Sequence, residues 1–128
     1  MNLPSVTIDS ARRVVILRFV GVVTLETFVE GREAIQREPG WSPRLAHVFD
    51  FTGVTDLAIS TQAIRQLASA PPVFDRSLPQ ILVAQRGSFE YGIATMFGAL
   101  ASDQRNVHVV ESMDAAWAIL AASGFTRA

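Results

Sequence analysis

Apolar, β-branched runs alternate along this chain with stretches in which apolar residues recur at helical spacing. Five runs predict strands, namely Ser5–Ile8, Arg13–Val20, Ala46–Phe51, Ile81–Ala84 and Val107–Val110. Four stretches predict helices: one from the cap Thr24 to about Glu38, Thr61–Ala70 after Ser60, Phe89–Ala101 after Ser88, and one from Ser112 to Ala122.

The order of these elements is β-β-α-β-α-β-α-β-α, which predicts an α/β fold. The short turn between the first two strands favours an antiparallel hairpin. Strands joined through a single helix run parallel, with right-handed crossovers. No repeat or linker divides the chain, so we expect residues 1–128 to form one domain, with a mixed five-stranded sheet and four helices.

The composition excludes several kinds of functional site, because two residue types are absent from the chain. The 128 residues include no cysteine, and all 11 basic residues are arginine. Disulfides, zinc–thiolate sites, iron–sulfur clusters and Schiff-base lysines are therefore excluded. A net charge of −1 does not indicate the basic surface that nucleic-acid-binding proteins usually have. We expect no cofactor and no metal.

The start of the chain lacks the basic-then-apolar order of a secretory leader. The apolar runs are far shorter than the ~20 residues that span a bilayer. We therefore expect a cytoplasmic protein without a membrane span.

Two carboxylates near the end of the third predicted strand are candidate functional groups. Asp50 ends the strand, where open α/β sheets bind ligands, and Asp56 follows in the same predicted loop. The pair would serve as acid and base, or hold a cation. The simpler interpretation, which we favour, is that Asp50 accepts backbone N–H bonds in a turn through Thr52 and Gly53.

His47 and His108 each lie within a predicted strand. Adjacent parallel strands would bring them near each other, but no third ligand has suitable spacing. A histidine in this position is more often a hydrogen-bonded structural group than a metal ligand or base.

The third predicted helix carries a strip of small residues, which includes Gly92, Thr95 and Gly98. Such a strip permits close packing on the sheet, or it forms a partner surface beside Tyr91. A homodimer through the second and third helices is one outcome. The inner face is predicted from helical spacing to contain Phe89, Ile93, Met96, Phe97 and Leu100.

A proline-rich loop, residues 70–79, presents Val73-Phe74 for docking or folds them over the core.

Three strings, taken with the order of elements, resemble the SpoIIAA-like branch of the STAS superfamily (sulfate transporter and anti-sigma factor antagonist). They are VTID…RRVVILRFVGVVTLETF, VFDFTGVTDLAIS and FEYGIATMFGAL, and the resemblance extends from Ser5 to about Leu120. It implies a single STAS-like domain that acts as a non-enzymatic regulatory or protein-interaction module.

In anti-sigma factor antagonists, a serine that begins the helix after the third strand is phosphorylated to switch partner binding. The matching positions here are the segment Asp50–Thr55 and the helix start at Ser60 and Thr61. A phosphate there would meet free N–H groups and the positive end of the helix dipole. This chain departs from the pattern, because Ile59 replaces an acidic residue and Ser60-Thr61-Gln62 replaces Ser-Ser-Gly. The preceding loop is also about two residues longer.

The third string is similar to the FG-x-A-R-x-F/Y pattern of the small standalone members of this branch. Gly92, Ala94 and Phe97 match, whereas Thr95 stands in place of the arginine. Asp50, Thr52, Asp56, Tyr91, Gly92 and Thr95 are therefore candidates for binding a partner or ligand. The topology also resembles lipid-transfer domains of the CRAL-TRIO type. A first alternative function is thus a small-molecule or lipid carrier, which would need a cavity near Gly92, Met96 and Gly98. A second alternative is an enzyme that uses Asp50, Asp56 or Tyr91.

Overall fold

A computed structural model describes residues 4–69, 77–101 and 106–124 of the chain. The strands are β1 (Ser5–Asp9), β2 (Val14–Thr24), β3 (Ala46–Ala58), β4 (Pro79–Val83) and β5 (Asn106–Val110). The helices are α1 (Leu25–Arg37), α2 (Thr61–Ser69), α3 (Phe89–Ala101) and α4 (Met113–Ala122). The predicted order is confirmed. Val73 and Phe74 lie outside the described residues.

The five strands form one sheet in sequential order, β1-β2-β3-β4-β5. β1 pairs with β2 antiparallel, and the other neighbours are parallel. The mixed α/β sheet is therefore confirmed. α1, α2 and α3 pack on the same face, as expected when successive right-handed crossovers each move one strand in the same direction. α4 follows the last strand and packs on the opposite face.

Each face of the sheet has its own apolar core. The larger core lies under α1, α2 and α3 and includes Leu17, Phe19 and Phe97. The smaller core lies under α4 and includes Ile81 and Leu120. Residues that alternate along one strand thus belong to different cores, as expected for strands covered on both faces.

The third strand is much longer than the sequence predicts. β3 continues through the segment Asp50–Thr55, which we expected to be a loop, and ends at Ala58. Its second half pairs only with β2, up to Thr24 opposite Ala58. Two irregularities in this pairing place extra residues on β3. At the second one, Gly21 has a φ of 69°, a conformation that glycine adopts without steric cost.

The two histidines do not approach each other, because their strands are not adjacent. β4 lies between their strands, so they are roughly 10 Å apart across the sheet. His47 packs beside Phe49 in the larger core, whereas His108 is in register with Ile81, which belongs to the smaller core. The two side chains therefore point to opposite faces.

Candidate functional site

Asp50 is a buried carboxylate near the centre of the sheet. Only 2% of the residue is exposed. One oxygen accepts a hydrogen bond from Arg18 Nε at 3.0 Å. The other accepts from Thr52 N at 2.9 Å and from Thr52 Oγ1 at 2.7 Å. Three donors thus surround the carboxylate, which supports the simpler structural interpretation of Asp50.

Asp56 does not join Asp50 in one site. It lies in the second half of β3, in register with Val22, and is exposed. Six residues of extended strand separate the two carboxylates by roughly 15–20 Å along the chain. The geometry therefore does not bring them together as an acid–base pair. Among the described residues, no three histidine, aspartate or glutamate side chains are arranged to hold a metal ion.

We expect Asp50→Asn to lower the free energy of unfolding by about 1–3 kcal/mol, because an amide nitrogen would face donors that now bind a carboxylate. The side chain of Arg18 is 51% exposed, so water compensates part of the loss. The exposed Asp56→Asn should change stability by less than ~0.5 kcal/mol. Urea denaturation of both variants measures the difference, and equal values would contradict a structural role for Asp50.

Ser60 lies at the start of α2, just beyond β3. Ile59 is buried in the larger core and fixes the chain there, whereas Ser60 and Thr61 are exposed. Ser60 Oγ accepts a hydrogen bond from Ala63 N at 3.1 Å. The predicted N-cap is confirmed.

A second helix begins beside this position. Thr24 caps α1 through a bond from Thr27 N to its Oγ1 at 3.2 Å. Thr24 pairs with Ala58, two residues before Ser60. Neighbouring strands are about 4.8 Å apart, so the N-termini of α1 and α2 lie side by side. Their aligned dipoles give this end of the β2–β3 pair a positive potential, which Glu26 in the first turn of α1 partly offsets.

Of the three α3 candidates, Tyr91 is half-buried and packs against the larger core, whereas the other two are exposed. Gly92 is exposed, and a Cβ added to it would have no atom within 4 Å; Thr95 is exposed as well. Thr95 Oγ1 donates to Tyr91 O at 2.9 Å. The inner-face prediction was wrong for Phe89, which is 61% exposed, and for Leu100. Phe97 is buried as predicted.

A small cavity lies between α1, α3 and the sheet. Its volume is about 40 Å³, and it is partly open to solvent. Two of its lining residues are polar, namely Gln80 and Glu90. The other eight are apolar, and four of these are phenylalanines: Phe28, Phe49, Phe51, Phe97, Leu57, Leu82, Ile93 and Ala94. The carrier alternative requires an apolar cavity near Gly92, Met96 and Gly98; this cavity lies beside α3, but none of those three residues lines it.

A buried histidine lies next to this cavity, and it is hydrogen-bonded, as the structural interpretation of His47 predicts. His47 is 1% exposed and in register with the equally buried Gln80. His47 Nδ1 is 2.9 Å from Leu45 O, and Trp41 Nε1 donates to His47 Nε2 at 3.3 Å. These contacts place the proton on Nδ1. Burial lowers the pKa of His47 to about 4, although the bond to Leu45 opposes this shift.

Within the described ranges, the helices are too short or too polar to cross a membrane. No family model and no curated protein matches the sequence. A solved structure does match: an uncharacterised protein of the DUF3478 family from Shewanella loihica PV-4, described as having a SpoIIAA-like fold. The TM-score is 0.61 at 13% identity, over 94% of this chain and 95% of the other. The chain therefore has a SpoIIAA-like fold.

Proposed function

We propose that this protein is a non-enzymatic regulatory module that binds a protein partner through the exposed start of α2. The observation that carries the proposal is Ser60, an exposed hydroxyl at a helix N-terminus within a SpoIIAA-like fold. The adjacent N-terminus of α1 adds to the potential that would stabilise a phosphate there. Phosphorylation of Ser60, or of the exposed Thr61, would then change the charge of the partner surface.

Intact-mass analysis of protein purified from its native host tests this switch. We expect a fraction of the chains to carry one phosphoryl group under some growth conditions. Ser60→Ala should abolish the modification at that site. Ser69→Ala, at the other end of the same helix, is the matched control and should leave it unchanged. Absence of phosphate from Ser60 and Thr61 under every growth condition would rule out the switch.

A second pair of variants separates charge from capping. Aspartate and asparagine are comparable N-caps, so Ser60→Asp and Ser60→Asn should be equally stable. Under our proposal, only the charged variant changes the affinity for the partner.

A homodimer through α2 and α3 stays a prediction. Leu100 of α3 is exposed and would be available to such an interface.

A small-molecule carrier is the second candidate function, because the cavity beside α3 is apolar and partly open. Native mass spectrometry of freshly purified protein would reveal a retained compound. A volume of about 40 Å³ favours a ligand much smaller than a lipid.

A further inference from the structure

The size of the cavity restricts what it accepts. A water molecule needs roughly 10–15 Å³ of such space, so about 40 Å³ corresponds to a few water-sized groups. A chain of three or four carbon atoms fits this volume. Because eight of the ten lining residues are apolar, water inside has few hydrogen-bond partners, and a hydrocarbon group would be preferred.

The charge at the cavity further restricts the kind of ligand that it accepts. Glu90 is the one charged side chain in its lining, and it is partly exposed. In the described part of the chain, no arginine forms an ion pair with Glu90. A neutral head group would not gain the attraction of the Glu90 carboxylate, and a negative one would be repelled by it.

We propose that the cavity binds a short-chain alkylamine, with its hydrocarbon chain between the phenylalanine rings and its ammonium group at the Glu90 carboxylate. This inference rests on the second candidate function, the carrier, and names its ligand class. The ammonium group stays at the mouth, because burying it among apolar side chains would cost more than the contact returns. Glu90 also belongs to the first turn of α3, where a carboxylate stabilises the helix without any ligand.

Three four-carbon probes, namely n-butylamine, n-butanol and butyrate, separate the contribution of the head group from that of the hydrocarbon chain. Their chains match, and only the head group differs. Methyl NMR signals of Ile93 and Leu82, which line the cavity, report occupancy. For ligands of this size we expect millimolar dissociation constants, with the amine bound about three- to fivefold more tightly than the alcohol. Butyrate should bind most weakly.

Glu90→Gln keeps the shape of the side chain and removes its charge, so amine and alcohol should then bind equally. Glu33→Gln makes the same change in net charge on the exposed part of α1, away from the cavity, and should preserve the preference. Ala94→Val reduces the cavity volume and should weaken all probes together. Thermal denaturation confirms that each variant is folded.

The outcomes distinguish the two proposals. Preference for the amine that is lost in Glu90→Gln supports the inference. Equal binding of the three probes overturns the alkylamine assignment while leaving a neutral apolar ligand for the carrier. No shift of the Ile93 and Leu82 signals with any probe overturns both.

Discussion

Replacing Phe19 by alanine is expected to lower the free energy of unfolding by about 3–5 kcal/mol. Phe19 is fully buried, and its ring stacks on Phe28 at 5.6 Å and on Phe51 at 5.1 Å between centroids. Its removal leaves a void between α1 and the sheet that these rings cannot fill without moving. Because small domains are stable by only about 5–15 kcal/mol, this is a large fraction of the total.

Phe89→Ala is the matched control. The same side chain is removed from α3, but Phe89 is 61% exposed, so the loss should be within ~0.5 kcal/mol. Guanidinium denaturation of both variants, analysed with a common slope, measures the difference. A difference below ~1 kcal/mol would mean that the core around Phe19 is far less tightly packed than described.

The second large effect concerns acid stability and His47. The pKa of this residue is lowered by burial, from the ordinary 6.5 to about 4. Above pH 6.5 the imidazole is neutral in both the folded and the unfolded chain. As the pH falls from 6.5 to 4, the unfolded chain binds a proton that the folded chain excludes. We expect this to reduce the free energy of unfolding by about 3 kcal/mol over that range, with no further loss below it.

His47→Gln should flatten this part of the pH dependence, although it also weakens the contact with Trp41 and lowers stability at neutral pH. His108→Gln, a change at the partly exposed edge strand, should retain the acid loss. Urea midpoints measured at half-unit steps between pH 7 and pH 4 provide the comparison. The assignment to His47 fails if both variants have the slope of the unmodified protein.

Helices were predictable from the sequence because their signals are local. The bounds of α3 agree with the prediction, and Ser60, Ser88 and Ser112 each accept an N–H bond from the first turn of the following helix. Hydroxyl caps and helical spacing depend on a few consecutive residues. The fold class followed from the order of elements, because parallel strands joined by single helices allow few arrangements.

The second half of β3 could not be predicted in the same way. Polar residues and Gly53 interrupt its apolar pattern, and this half is a strand because of its pairing with β2, far away in sequence. The inner face of α3 was also misjudged. Helical spacing locates an apolar stripe but not the edge of the partner sheet, which leaves Phe89 uncovered.

The position of α4 has a consequence for the synthesis of the chain. Within the described part of the protein, α4 is the one helix on its face of the sheet, where it covers Val48, Ile81 and Val83. These residues are made before Met113–Ala122. A nascent chain that has already formed the larger core therefore still exposes an apolar sheet face to the ribosome surface and to other nascent chains. Chains that stop before α4 would be substrates for chaperones and proteases even when most of the sheet has folded.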